Sequence, residues 1–467
     1  MYFLYRILTA AGMIVLAPYY ALRAWRRGET AAALRQRLGI LPEEFARGTS
    51  GGASAGAEES SRDSARSGAI WIHAVSVGEV LAAKPLVDGL KKRLPERRVF
   101  LSTTTETGQR LARERVQAAD GIFYFPLDWV VPVRKALRSI RPAAVIVMET
   151  EIWPNFLREA RRIGVPVVFV NARISERSFR RFQQWRFLVG EFYARALRDA
   201  ELFLAQTEED AARLREMGAE EERVEVTGNL KYDAEPPSVG RFGEWLAGET
   251  RRQERWPVMV AGSVAAGEEE AVLAAYDIVQ RKWRHALLVM APRKPDRFDA
   301  ATEIAEAAGW HVARRSKINF DGTGAAELDE SLDVLVLDSI GELAGIYSLA
   351  DAVFVGGSLV KTGGHNILEP AWFGRPPVFG TSMENFREMA DLFLRARAGI
   401  QVNSGPMLGK VWVQLIEDAK TRERMSEAAR AITVKNRGAT ARSLERIASI
   451  LGAGGNTRDA LARGAAE

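Results

Sequence analysis

The sequence predicts an α/β protein made of two doubly wound domains. Three observations carry that prediction. Short, nearly continuous apolar runs alternate with helical patterns along most of the chain, as expected of parallel strands covered on both faces. The runs fall into two series, separated by a stretch rich in Pro, Gly and charge between Tyr232 and Arg255. The length, 467 residues, suffices for two sizeable domains with attachments. In such sheets ligands gather at the C-terminal ends of the strands, so functional residues are sought there.

The N-terminus stands outside this pattern. From Ile7 to Leu22 no residue is charged; Arg23, Arg26 and Arg27 follow, with Tyr19, Tyr20 and Trp25 at the border. Residues 1–27 are expected to form an N-terminal membrane-anchor helix, spanning or interfacial, with Arg6 snorkelling. The basic residues follow the apolar run, the reverse of a cleaved signal peptide. The positive-inside rule then puts the main body on the cytoplasmic side of an inner membrane, with membrane lipids as partners. Residues 28–68 read as a linker. Its segment 48–68 is Gly, Ser and Ala with mixed charge, lacks large apolar residues and is expected to be flexible.

The first domain is expected over 69–235, with strands at Ala69–Val75, Val99–Leu101, Ile122–Phe125, Ala144–Met148, Val167–Val170, Leu202–Ala205 and Val224–Val226. The second is expected over 236–435, with strands at Val258–Ala261, Ala286–Met290, Val334–Leu337, Ala352–Val355, Pro377–Phe379 and Ile400–Val402. A helix over 436–451 is expected to pack back on the first domain, and 452–467 to form a disordered tail.

Composition excludes several classes. There is no cysteine, hence no disulfide, thiolate metal site or cysteine nucleophile. The four histidines lack metal-ligand spacing. Lys and Arg exceed Asp and Glu by five, which suits either nucleic acid or anionic lipid. No nucleic-acid module is recognisable, and the N-terminus supplies the lipid explanation. No Gly-x-Gly-x-x-Gly run follows the first strand, which argues against a dehydrogenase.

The richest stretch is Gly356 to Ala371, after the strand Ala352–Val355. Two glycine pairs let backbone N–H groups approach an anion, and a helix from Asn366 would add its positive end. Asn366 suits an N-cap. Glu369, three residues on, suits either a capping-box partner or an acceptor for two ribose hydroxyls. Gly262-Ser263, Pro292-Arg293-Lys294 and Ile340-Gly341-Glu342 also lie at strand C-termini.

In the first domain, Glu79 opens a helix just after the first strand. There it serves either the helix dipole or an acceptor proton as general base. Glu149 and Glu151 follow the strand Ala144–Met148. On an extended segment they point the same way, and like charges brought close would raise one pKa; the alternative is that one carboxylate pairs with a basic neighbour and stabilises the loop. Arg177, Arg180 and Arg181 form one basic helix face near Phe179, Phe182, Trp185 and Phe187. That face is either merely solvated or suited to phosphate.

Six segments in order identify a resemblance: Ser76 to Glu79, Ser102 to Gly108, Met148 to Asn155, Asn171 to Arg173, Gly228 to Asp233, and Gly363 to Ala371. Together they look like the 3-deoxy-D-manno-octulosonic acid (Kdo) transferase family, over about Ala69 to Gly380. The resemblance implies a GT-B architecture, two Rossmann-like domains facing a cleft. It implies an inverting transferase that uses CMP-Kdo and a tetraacylated lipid A precursor, without metal or other cofactor. It places the base on Glu79, with Glu149 and Lys231 near the reacting centre. It assigns Pro292 and Arg293 to the CMP phosphate or base, Ile340, Gly341 and Glu342 to the cytidine, and Asn366, Ile367, Leu368 and Glu369 to phosphate and ribose. Arg173 and Arg177 fall to the acceptor. Lys294 stands where many relatives carry His, so no role is assigned to it. The competing readings are a transferase of the same fold using a UDP-sugar and a non-catalytic, membrane-tethered nucleotide-binding protein.

Overall fold

The computed structural model describes residues 31–45, 68–236, 238–318 and 327–464, with positions 2, 5–7, 9 and 12; beyond 452 only the backbone is described. The chain divides into two compact units, Met1–Ala234 with Asn436–Glu467, and Glu235–Lys435.

The first unit holds a seven-stranded sheet. Its strands are β1 (Ala69–His73), β2 (Val99–Thr103), β3 (Gly121–Tyr124), β4 (Pro142–Met148), β5 (Val167–Ala172), β6 (Leu202–Ala205) and β7 (Val224–Val226). All pairings are parallel, in the order β3-β2-β1-β4-β5-β6-β7. Ile72 of β1 is in register with Leu101 on one side and Ile146 on the other. The strands are apolar on both faces because both are covered. Trp71, Val145 and Phe169 pack on one side, and Ile70, Ile146 and Val168 on the other. The strand order reverses between β1 and β4, which creates a crevice at their C-terminal ends.

The second unit repeats the plan with β8 (Val258–Val264), β9 (Leu287–Pro292), β10 (Val312–Arg314), β11 (Val334–Val336), β12 (Ala352–Val355), β13 (Val378–Phe379) and β14 (Ile400–Gln401). The order is β10-β11-β9-β8-β12-β13-β14, again parallel, with the reversal between β8 and β12. The sequence did not announce β10. It is a half-buried edge strand reading Val-Ala-Arg, with no apolar run.

The last helix, Ala439–Gly464, belongs to the first unit. The Asp233 carboxylate accepts the N–H groups of Gly438 and Thr440 and so caps its start. Arg442 donates to the Thr227 carbonyl, and Leu444 lies so close to Gly89 that a Cβ there would stand 2.4 Å from it. The helix also corrects an expectation. Residues 452–464 continue it instead of forming a disordered tail, although Gly452, Gly454 and Gly455 are weak helix formers.

The anchor expected over 1–27 and the insertion over 48–68 fall mostly outside the described residues. Among the described residues no helix is long and apolar enough to cross a membrane. Arg6, expected to snorkel, instead donates to Glu159 at 2.9 Å, while Tyr2 donates to Asp199 and Tyr5 to Asp128. A buried carboxylate holds a guanidinium more firmly than a lipid interface would.

Candidate active site

At the crevice of the first sheet, β1 gives way to Ser76, the N-cap of helix Val77–Arg93. Ser76 accepts the Glu79 N–H, and the Glu79 carboxylate folds back to take the Val75 N–H and the Ser76 hydroxyl, each at 2.9 Å. This is a capping box displaced by one residue. Glu79 is 8% exposed. Burial pushes its pKa up to about 7, and the neighbouring Glu149 charge adds to the rise; the hydrogen bonds from Val75 and Ser76 oppose it. Capping and proton transfer are thus compatible. The carboxylate is held in place and poised to change protonation near neutrality. His73, at the end of β1, is structural. It is fully buried, stacks on Phe125 at 3.8 Å, and burial lowers its pKa to about 3, so it stays neutral.

Glu149 follows β4 with φ +53, a left-handed conformation that costs a glutamate about 1 kcal/mol. Its N–H donates to the Val170 carbonyl, and its Oε1 lies 3.5 Å from Lys231 Nζ. The turn corrects the expectation that Glu149 and Glu151 share a direction. The backbone is not extended there, so Glu149 meets Lys231 while Glu151 lines a cavity with Trp153. Burial raises the Glu151 pKa; the Trp153 side chain opposes the rise, and the Glu149 charge adds to it.

Lys231 sits on a short 3-10 turn, Leu230–Asp233. Its placement explains two of the motifs. Asn171 Oδ1 accepts the Leu230 N–H and Asn229 Oδ1 accepts the Lys231 N–H, both at 3.0 Å. Gln206 joins the two asparagines, donating to the Asn171 carbonyl and accepting from Asn229 Nδ2. The fold therefore gathers Glu79, Glu149 and Lys231 at the ends of β1 and β4. Arg173 stands at the end of β5, half-buried, its carbonyl accepting the Thr150 hydroxyl. Arg177 lies exposed on helix Glu176–Leu197, facing the cavity that Glu151 lines.

The second unit contains a carboxylate that sequence reasoning missed. Glu268, fully buried after β8, accepts the N–H groups of Ala265 and Gly357 on Oε2 and of Ser358 and Leu359 on Oε1, at 2.6 to 2.8 Å. The first glycine pair, expected to cradle an anion, is thus already filled by the protein's own carboxylate. The signal was present in Gly267-Glu268-Glu269 directly after a strand, but it reads only as an acidic helix start. The second pair, Gly363 and Gly364, donates to the Ser382 hydroxyl and the Gly357 carbonyl.

The expected helix from Asn366 is a single turn, Leu368–Trp372, so its dipole is small. Asn366 Oδ1 accepts the Leu368 N–H at 3.2 Å. Ile367 and Leu368 are fully buried, so only backbone at these positions can meet a ligand. Glu369 is pushed up to about 7 by burial, against the lowering effects of Asn366 and Arg293. Arg293 is exposed after β9, and its N–H donates to the Val264 carbonyl; Pro292 before it is buried. His365, pressed against Gly357, has its pKa lowered to about 4 by burial, with Arg293 adding to the fall. The site residues after β11 are separated by use. Ile340 is 80% exposed and Gly341 has φ +95. The Glu342 carboxylate is engaged by Arg315 in a bidentate pair and by the Ser339 hydroxyl.

Residues 32–234 match the family described as 3-deoxy-D-manno-octulosonic-acid transferase (kdotransferase). A 3-deoxy-D-manno-octulosonic acid transferase of Bordetella pertussis is 36% identical over 447 residues, 94% of this chain and 97% of its own length. Its counterpart in Haemophilus influenzae is 33% identical over 80% of this chain and 86% of its own. Among solved structures, a UDP-GlcNAc 2-epimerase from Neisseria meningitidis bound to UDP-GlcNAc shares the fold, with TM-score 0.53 and 13% identity over 81% of this chain and 99% of that one.

Proposed function

The chain belongs to the 3-deoxy-D-manno-octulosonic acid transferase family, and from that premise we propose that it is a GT-B glycosyltransferase moving Kdo from CMP-Kdo to a tetraacylated lipid A precursor in lipopolysaccharide synthesis. The observation that carries the reading is Glu79, a buried carboxylate at the end of β1 with a pKa near 7, beside Glu149 and its Lys231 partner.

In the proposed reaction the acceptor's primary hydroxyl gives its proton to Glu79 as its oxygen lone pair forms a bond to the anomeric carbon of Kdo. The bond from that carbon to the phosphate oxygen breaks, and its electrons leave with CMP from the opposite face, which inverts the centre. The transition state has oxocarbenium character. Lys231 supplies an ammonium for the donor's carboxylate or the departing phosphate. The nucleotide is assigned to the second unit, with Arg293 for phosphate and Glu369 for ribose hydroxyls. With Glu342 engaged by Arg315, cytidine contacts are assigned to the backbone of Ile340 and Gly341. Arg173 and Arg177 are assigned to acceptor phosphate. No metal has a role in this scheme, so transfer should survive chelation with EDTA. The uncharged stretch before Arg23 supports attachment to the inner membrane with both units on the cytoplasmic face.

The test is transfer itself. The protein in detergent is mixed with CMP-Kdo, generated in situ, and the tetraacylated precursor, and the lipid is weighed by mass spectrometry. A mass gain of one or more Kdo units supports the reading. No gain, with stabilisation by CMP retained, would leave the nucleotide site and sink the proposed substrates.

A further inference from the structure

Resting on the lipid-acceptor reading above, we propose that a slot along helix Glu176–Leu197 takes one acyl chain of the acceptor and makes the enzyme sensitive to its length. The slot is a cavity of about 540 Å³ within the first unit, between that helix and the loop after β4. Its volume is in the range of ligand-binding cavities. Arg177, Ser178, Arg181 and Trp185 of its lining are exposed, so the slot is open to a guest from solvent.

The lining is mixed. Its part by the helix start and the loop after β4 holds Thr150, Glu151, Arg177, Ser178 and Arg181, with the apolar Ile152, Trp153 and Ile174 among them. It adjoins the Glu149 turn, where the acceptor hydroxyl is proposed to react. Phe182, Trp185, Val189 and Tyr193 continue the lining along the helix, apolar throughout. From Ser178 these positions step by four, three, four and four residues, which keeps them on one helix face. Two arginines at the head and a hydrocarbon wall behind suit a phosphorylated sugar with an attached chain. A free phosphate or sugar would leave the wall unused.

The neighbours of the slot supply the second argument. Tyr193 of its apolar wall stands 5.7 Å from Phe182 and 6.2 Å from Phe192, ring centre to ring centre. Phe192 in turn meets Tyr2 at 5.5 Å and Tyr5 at 5.1 Å. The apolar wall therefore adjoins the first residues of the chain, just before the uncharged stretch Ile7 to Leu22. An acyl chain on that wall would lie close to the residues that lead into the segment assigned to the membrane.

The experiment measures KM for two acceptors that differ only in acyl length, full and shortened, with wild type, Val189→Trp and Trp185→Ala. Wild type should favour the long-chain acceptor by about tenfold, since each buried methylene contributes measurably to affinity. Val189→Trp fills the slot and should erase that preference, leaving kcat and the donor KM unchanged. Trp185→Ala, at a half-exposed position that tolerates truncation, should weaken the preference and decides the matter if Val189→Trp melts early. A wild-type KM indifferent to chain length overturns the slot, as do variants that slow both acceptors alike. If wild type transfers to neither acceptor, the assigned reaction itself is wrong and the slot falls with it.

Discussion

Each sheet follows the first strand at its reversal point with a buried glutamate, and the two are used in opposite ways. Glu268, after β8, accepts four backbone N–H groups and holds the loop Gly357–Leu359. Glu79, after β1, accepts one backbone N–H and one hydroxyl and lies near a like charge on Glu149. Four backbone donors occupy the Glu268 oxygens and tie them to the loop. Burial with fewer donors and a neighbouring anion lets the proton return near neutrality. The same topological place thus supports a structural carboxylate in one unit and a candidate base in the other. The number of donors and the sign of the nearest charge mark the difference.

The comparison breaks most sharply on activity. Glu79→Gln should lower kcat of Kdo transfer by about a thousandfold, the middle of the range for losing a general base, while thermal melting holds. Transfer near the wild-type rate would remove Glu79 from the mechanism. Glu268→Gln should do the reverse and act through stability. Its amide must turn a donor towards backbone N–H groups, which costs about 3 kcal/mol in a denaturant melt. An unchanged midpoint would show that the loop does not depend on the charge.

A smaller effect, about 1 kcal/mol, is expected from Asp233→Ala, which uncaps helix Ala439–Gly464. The most delicate test is pH. The Glu79 pKa is raised from 4.5 to about 7, so the native state binds the proton more tightly than the unfolded state between those values. Its contribution to stability is therefore full below about 4.5 and is lost as pH rises through about 7. Activity needs the ionised form and should rise across an inflection near 7. Glu149→Gln should move that inflection down, because it removes a charge that raises the Glu79 pKa. An inflection that stays put would show that burial alone sets it.

Much of this was legible in the sequence. Of the strands among the described residues, all but β10 were legible, most of them as apolar runs because both faces of the central strands are covered. Glu79, Glu149 and Lys231 stand in motifs at strand ends, and the fold brings them together. What stayed hidden depended on long-range partners. Nothing local in Glu268 says that its oxygens reach residues some 90 positions away. Nothing in Glu342 says that Arg315 has claimed it. The left-handed turn at Glu149 is likewise set by its place beside β5, and it separates two acids that an extended chain would have aligned.

Because the helix Ala439–Gly464 belongs to it, the first unit is begun on the ribosome before the second and completed after it. Leu230, Val80 and Leu86 form one apolar cluster with Ala439, Leu444 and Ile447. Until those final residues emerge, that cluster lacks its cover, while the uninterrupted Glu235–Lys435 is already complete. Synthesis that stops before residue 439 therefore releases a chain whose second half is whole and whose first half carries an exposed apolar face, the kind of surface that chaperones and proteases recognise.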